Sequence, residues 1–147
     1  MRWFWIDRFD EFVRGKHATA IKNVSLAEEH LHDHFPGVAI MPNSLIVEGM
    51  AQAAGLLVAD AIDFNRRVVL AKVAAAEFHF DAVPGDTIRF KAEVLDLKPT
   101  GSFTKVTSLS RMSAGKALSR RYAQQASSSA VGYSLVPFNV STTLRRF

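Results

Sequence analysis

Apolar residues recur every three to four positions from Ser44 to about Asp63, which is the period of an α-helix. Because apolar side chains occupy most of this stretch, the pattern predicts a helix with most of its surface buried, capped by Asn43 or Ser44. Residues 87–97 instead alternate between apolar and charged side chains. That alternation is typical of a strand in a sheet with one buried and one solvated face.

Further strands are predicted at residues 18–24, at 68–80 and from 102 to about 109. Turns that contain Pro and Gly, at residues 83–86 and 98–101, separate the last three strands. One long buried helix that follows one strand and precedes antiparallel strands indicates an α+β fold, in which the sheet wraps around the helix.

The composition limits the kinds of protein that this chain can be. With 147 residues and 48% hydrophobic residues, residues 1–147 are expected to form a single domain. The chain has no cysteine, so a disulfide framework, a thiolate nucleophile and a cysteine-ligated metal site are excluded.

The net charge of +4 is concentrated at one end of the chain. Residues 108–147 hold six Lys and Arg, no acidic residue and nine of the 12 serines, whereas residues 1–107 hold 12 basic and 14 acidic residues. This shift indicates a basic, serine-rich tail that is divergent, partly disordered or the product of an altered reading frame. An alternative places a last hairpin turn at residues 113–116 and a weak strand at Ala117–Ala126. The tail lacks the interleaved aromatic residues of a base-stacking surface, so we expect no nucleic-acid partner.

The aromatic segment from Met1 to Val13 contains charged residues at intervals, so it lacks the apolar core of a signal peptide. The longest uninterrupted apolar runs fall short of the roughly 20 residues that a membrane span requires. We therefore expect a soluble, cytoplasmic protein with no membrane partner.

Most of the candidate catalytic and binding residues lie between positions 34 and 52, HFPGVAIMPNSLIVEGMAQ. Pro36 and Pro42 stiffen a loop, and the predicted helix begins just after the second proline. A helix start offers unpaired backbone N–H groups and a partial positive charge, both of which favour an oxyanion. Glu48 lies inside this apolar helix, where low polarity favours a protonated acid. Gln52 is four residues further on, so its amide can orient the carboxyl group of Glu48.

The segment HFPGVAIMPNSLIVEGMAQAAG resembles the active-site segment of the (3R)-hydroxyacyl-acyl-carrier-protein dehydratases of fatty-acid synthesis, which carry an HFPGxPxMPGxLxxEAxAQ-like pattern. Similar segments flank it, IDR and AIKNVS before it and LAKVAAAEFHFDAVPGD after it, so the resemblance covers roughly residues 3–107. It implies a hot-dog fold, an α+β domain whose antiparallel sheet wraps around one long central helix.

The resemblance implies a lyase that removes water from a (3R)-3-hydroxyacyl thioester to give the trans-2-enoyl thioester. His34 would remove the proton α to the thioester carbonyl, and Glu48 would protonate the departing 3-hydroxyl, directly or through a water. Backbone N–H groups of Asn43 and Ser44, or of Gly37, would polarise the carbonyl oxygen. One such donor is typically worth about 10² to 10³ in rate.

Phe35 and Gln52 join Gly37, Asn43 and Ser44 as the substrate-binding residues that the resemblance implies. The acyl group would be carried by an acyl carrier protein or by coenzyme A, and the basic tail could help to recruit an acidic carrier. No metal or organic cofactor is implied. In relatives the His and the Glu of one site come from different protomers, so a homodimer is expected, with a hexamer made of three dimers as a further option.

Two positions depart from the pattern of these dehydratases. Asn43 stands where the family has Gly, although Asn tolerates unusual backbone angles better than most residues. Ala39 stands where the family has Pro. Both departures affect the fit of the substrate more than the type of reaction, and an acid of the Glu type favours the dehydratases over the related dehydratase-isomerases.

The alternating histidines His30, His32 and His34 suggest a metal site, because alternate residues of a strand share one face. However, the spacing is one residue short of the HxHxDH pattern of zinc hydrolases, and no second cluster of ligands follows. We therefore expect no metal, and we expect His30 and His32 to be loop residues that face solvent.

Two other functions fit the same residues. In a hot-dog thioesterase, Glu48 would activate a water that hydrolyses the thioester and releases a free thiol. A non-catalytic acyl-binding module would bind the thioester and leave its mass unchanged, and Asn43 and the unusual tail are both compatible with it.

Overall fold

The computed structural model describes residues 3–76, 78, 81–98, 101–111 and 126–137. These residues form six strands, one long helix and one short helix. In chain order the elements are β1 (Arg8–Val13), β2 (His17–Asn23), α1 (His30–Asp33), α2 (Asn43–Ala61), β3 (Arg66–Ala76), β4 (Thr87–Lys98), β5 (Gly101–Arg111) and β6 (Ala126–Pro137).

The six described strands form one antiparallel sheet in the order β1-β2-β4-β5-β6-β3. Strand β3 follows α2 along the chain but lies at the edge of the sheet, where it pairs with β6. Helix α2 packs against every strand from β2 to β6. The sheet therefore wraps around one central helix, as the sequence pattern predicts.

Helix α2 buries one side of its surface in the core. Ile46, Met50 and Leu57 are fully buried, and they belong to the same apolar cluster as Ile88 and Phe90 of β4. The length and composition of α2 would also suit a membrane span, but the core helix of a folded domain has the same properties. Here the apolar side of α2 is covered by the sheet of its own chain.

The alternation predicted for residues 87–97 is confirmed in β4 from Ile88 to Glu93, but Leu95 and Leu97 are exposed, and the pairing with β5 is irregular between Val94 and Asp96. Ile88, Phe90 and Ala92 are buried, whereas Lys91 and Glu93 are exposed. Because successive side chains of a strand point to opposite faces, this register places the apolar set against α2 and the charged set in solvent.

The N-terminal region contains two elements that the hydrophobic pattern did not predict. Strand β1 pairs with β2 across a tight turn, in which Gly15 has a φ of +66°. The short helix α1 contains His30 and His32, which were expected to be loop residues. Both are too short to give a clear period, and β1 has exposed residues over most of its length.

Parts of the basic tail are strand. Residues 108–111 end β5, and β6 spans Ala126–Pro137 and pairs with both β5 and β3. The alternative hairpin turn at 113–116 and all but the last residue of the alternative strand lie outside the described residues, as do residues 77, 79 and 80 at the end of the strand expected at 68–80.

Gly49 is a position where α2 approaches the sheet very closely. A Cβ atom built there would lie 2.6 Å from Cζ of Phe90, 2.7 Å from Cε2 of the same ring and 3.2 Å from the carbonyl oxygen of Trp5. The ring of Phe90 is fully buried, so it has no free space into which to move. Glycine at position 49 therefore lets the helix lie close to β4 and to the N-terminal segment, residues 3–6.

We expect Gly49→Ala to destabilise the fold. Overpacking of a core typically costs about 1–3 kcal/mol of unfolding free energy. This cost is as large as or larger than the gain of about 1 kcal/mol from the higher helix propensity of Ala. Urea unfolding at a fixed protein concentration measures the change. In a Phe90→Leu background the same substitution should cost less, because the clashing ring atoms are gone. An equal cost in both backgrounds would contradict this explanation.

Candidate active site

His34 directly follows α1 and lies in an exposed loop. Its ring contacts the ring of Phe35 edge-on, with the centroids 4.3 Å apart and the planes at 73°. Gly37 has a φ of +79°, a conformation that favours glycine, and the N–H of Val38 donates to the carbonyl of Phe35 at 2.9 Å. The loop thus turns sharply just after His34.

The loop is fixed to the sheet side of the fold at its far end. Met41 is buried, and its N–H donates to the carbonyl of Ala82 at 2.7 Å. This bridge joins the residue before Pro42 to the segment before β4. The start of α2 is therefore held in place independently of the exposed residues between His34 and Ile40.

Pro42 is the N-cap residue of α2, so the expectation that Asn43 or Ser44 caps the helix is wrong. Its φ of −58° and ψ of 137° are those of an extended residue, and its carbonyl accepts hydrogen bonds from the N–H groups of Leu45 and Ile46. Within the described part of the chain no side chain caps the helix, and the first turn of α2 contains no acidic residue. Asn43 and Ser44 are both exposed, so the positive end of α2 is accessible to a ligand oxygen.

Glu48 is exposed in the single chain, not surrounded by apolar side chains as expected from the sequence. The reason is the period of the helix: the buried side of α2 includes Ile46, Met50 and Leu57, and Glu48 lies beside that stripe. The contact predicted from the spacing is present, because Nε2 of Gln52 donates to Oε1 of Glu48 at 2.9 Å.

Glu48 and Gln52 line a cavity of about 720 Å³. Its walls come from three parts of the chain: the N-terminal segment, the exposed side of α2 and the beginning of β3. Apolar side chains dominate these walls, and Arg8, Arg66 and Arg67 also line them. The apolar part consists mainly of Phe4, Ile6, Phe9, Leu56, Phe64, Val68 and Leu70.

His34 lines neither this cavity nor a second one of about 560 Å³, which is bounded by Trp3, Phe4, Trp5 and His30. Of the predicted site residues, one chain therefore brings together Glu48 and Gln52. His34, Phe35 and Gly37 lie on a separate exposed loop. Asn43 and Ser44 lie at the start of α2, between that loop and Glu48 in the sequence.

The expectation that His30 faces solvent is wrong, whereas His32 is exposed as predicted. The ring of His30 packs edge-on against Trp5, with the centroids 5.0 Å apart, and its side chain is only 17% exposed. This burial lowers the pKa of His30, although the carboxylate of Glu28 acts in the opposite direction. Within the described residues, no three His, Asp or Glu side chains lie close enough together to hold a metal ion.

The sequence did not reveal two features beside these cavities. One is the buried Lys22 of β2, whose Nζ lies 2.8 Å from Oε1 of Glu28 and 3.6 Å from Oδ1 of Asp7. The other is the set of backbone contacts that Gln52 makes with the N-terminal segment, described below. Backbone partners leave no signature in the pattern of side chains, so no sequence signal could have indicated the second feature.

The profile of the FabA-like domain family matches residues 4–117 of the chain. The 3-hydroxyacyl-[acyl-carrier-protein] dehydratase FabZ of Koribacter versatilis is 41% identical over 99 residues, which are 66% of this chain and 64% of that protein. The protein of the same name from Granulibacter bethesdensis is 43% identical over 93 residues, 61% of this chain and 55% of that protein. The chain thus spans less than two thirds of the length of these relatives.

Solved structures show the fold. A thioesterase family protein from Silicibacter pomeroyi superposes with a TM-score of 0.67, covering 88% of this chain and 84% of that one at 13% identity. At this identity the likeness concerns the fold alone, and it confirms the predicted hot-dog arrangement. Because the family profile matches residues that include the loop of His34 and all of α2, the chain belongs to the FabA-like domain family.

Proposed function

We propose that this protein dehydrates a (3R)-3-hydroxyacyl thioester to the trans-2-enoyl thioester in fatty-acid synthesis. The observation that carries the proposal is the carboxyl group of Glu48, held by Gln52 at the wall of an apolar cavity of about 720 Å³. Such a cavity suits an acyl chain, and the carboxyl group supplies the acid that a poor leaving group such as hydroxide needs. The names of the curated relatives support the same reaction.

In the proposed mechanism, the imidazole of His34 takes the proton α to the thioester carbonyl. The electron pair of that C–H bond becomes the second bond between Cα and Cβ, the Cβ–O bond breaks, and Glu48 protonates the departing hydroxyl to water. Negative charge develops on the thioester oxygen meanwhile. The N–H groups of the exposed residues Asn43 and Ser44 at the start of α2 would stabilise this charge, or the N–H group of Gly37 would do so.

We also propose that the site is completed in a homodimer, with His34 of one protomer facing Glu48 of the other. The support is that one chain keeps His34 outside the cavity that Glu48 lines. Strand β3, which forms part of that cavity, lies at the edge of the sheet and exposes Val69, Leu70 and Val73. An apolar edge strand of this kind is suited to pairing with a second copy of the chain.

The carrier of the acyl group is proposed to be an acyl carrier protein or coenzyme A. Arg8, Arg66 and Arg67 line the same cavity as Asp7 and Glu48, so basic side chains outnumber acidic ones there by three to two. Both carriers present a phosphate-bearing, acidic surface, so the charges are complementary.

We expect His34→Ala and Glu48→Gln each to abolish most turnover while the fold is kept, because each removes a group that moves a proton. Positioned acid–base groups contribute about 10² to 10⁴ each. Mass spectrometry of a 3-hydroxyacyl thioester after incubation with the enzyme measures the loss of water. The matched control is His32→Ala, which removes an exposed histidine two residues from His34.

Normal turnover in either variant would remove that residue from the mechanism. Release of a free thiol by the unchanged protein would show hydrolysis instead of dehydration, and a thioester of unchanged mass would indicate an acyl-binding module.

The shared site predicts complementation between inactive chains. When His34→Ala and Glu48→Gln chains are mixed and allowed to exchange subunits, a mixed dimer has one site with both native groups. Partial activity should therefore return in the mixture and should follow the fraction of mixed dimers measured by native mass spectrometry. If mixed dimers form and stay inactive, the two groups do not act across protomers.

A further inference from the structure

The side-chain amide of Gln52 makes three hydrogen bonds that tie Glu48 to the N-terminal segment, residues 3–6. Its Oε1 accepts from the backbone N–H of Trp5 at 2.8 Å. Its Nε2 donates to the backbone carbonyl of Trp3 at 2.7 Å and to Oε1 of Glu48 at 2.9 Å. The carboxyl group is thus linked through one amide to two backbone groups.

These backbone partners allow only one orientation of the amide. A backbone N–H can only donate and a carbonyl oxygen can only accept, so Oε1 of Gln52 must face Trp5 and Nε2 must face Trp3. The second hydrogen on Nε2 then points at Glu48. If the amide were rotated by 180°, its NH₂ group would face the N–H of Trp5 and its oxygen would face the carbonyl oxygen of Trp3. Both hydrogen bonds to the backbone would then be lost.

The N-terminal segment is held at Trp5 and at Asp7, the residue that follows it, whereas Trp3 and Phe4 are exposed. Trp5 is only 7% exposed and belongs to the apolar core cluster. Two residues later the N–H of Asp7 donates to the carbonyl of Ile21 at 2.7 Å, and its carboxylate accepts from the N–H of Asn23 at 2.7 Å. The backbone N–H of Trp5, one of the two groups that orient Gln52, therefore belongs to the folded core.

We propose, on the basis of the dehydratase function proposed above, that Gln52 is a positioning residue that decides which oxygen of Glu48 delivers the proton. Oε1 of Glu48 accepts from the Gln52 N–H, and the carbonyl oxygen of a protonated carboxyl group is a better acceptor than its hydroxyl oxygen, so the amide favours the proton on the other oxygen. The transferred proton is carried by Oε2. The backbone of Trp3 and Trp5 sets this choice, since it fixes the amide.

The test is a double-mutant cycle of Gln52→Met and Glu48→Gln. Met has a similar length but neither donor nor acceptor of comparable strength, so the carboxyl group of Glu48 loses its orientation. We expect kcat to fall about 10- to 100-fold, the range for a misplaced catalytic group, with KM nearly unchanged. In a Glu48→Gln background, Gln52→Met should have little further effect on the residual rate, because it acts through Glu48.

A second substrate separates proton delivery from general damage. A 3-fluoroacyl thioester loses its α proton and fluoride to give the same enoyl thioester, and fluoride leaves as an anion without needing a proton from Glu48. The defect of Gln52→Met should therefore be much smaller with this substrate than with the 3-hydroxyacyl thioester.

A second variant, Gln52→Glu, guards against local unfolding of the N-terminal segment. Its carboxylate still accepts from the N–H of Trp5 but, when ionised, donates neither to Trp3 nor to Glu48, and it repels the carboxylate of Glu48. Its kcat should fall at least as far as that of Gln52→Met, with circular dichroism and the unfolding midpoint reporting that the fold is kept.

The proposal is overturned if Gln52→Met keeps the kcat of the unchanged protein, if it raises KM alone, or if it costs the same factor with fluoride as leaving group or in the Glu48→Gln background. Any of these outcomes leaves the proposed dehydratase function standing. Failure of the unchanged protein to form an enoyl thioester from the 3-hydroxyacyl substrate is a different result, which overturns both.

Discussion

The close packing of α2 against β4 determines where Glu48 and Gln52 lie. Gly49 allows this approach because a Cβ atom there would overlap the buried ring of Phe90. Once one side of the helix is fixed in the core, its 3.6-residue period places Glu48 and Gln52 together beside the buried stripe. The same approach brings the carbonyl of Trp5 next to position 49, so the N-terminal segment lies within reach of Gln52.

The elements with a strong period could be predicted from the sequence, and those that depend on distant partners could not. Helix α2 and strand β4 were predicted within about two residues, because burial on one face forces a regular pattern. Strand β1 has no such pattern, since it lies at an edge of the sheet and is held by pairing with β2. The helix cap was mispredicted because Asn43 suits a cap, whereas Pro42 already occupies that position.

In the candidate site, too, the local contacts could be predicted from the sequence and the contacts with distant residues could not. The spacing of four residues was enough to predict the hydrogen bond between Gln52 and Glu48, because it depends only on helix geometry. The surroundings of Glu48 were mispredicted, since an apolar neighbourhood in sequence does not tell which side of a helix faces the core. Likewise, His30 was expected in solvent, but the ring of Trp5, 25 residues away in the chain, covers it. Contacts of this kind are set by the tertiary structure alone.

The position of β3 at the edge of the sheet has a consequence for how the domain assembles during synthesis. Within the described strands, β3 hydrogen-bonds only to β6, whose residues follow it by about 60 positions. Pairing between segments so far apart is slow, because closing so long a loop costs entropy before the contacts form. On the ribosome, β3 cannot join the sheet until residues 126–137 have emerged. The wall that β3 contributes to the cavity beside Glu48 is therefore among the last parts of the domain to form, although Glu48 itself is made much earlier.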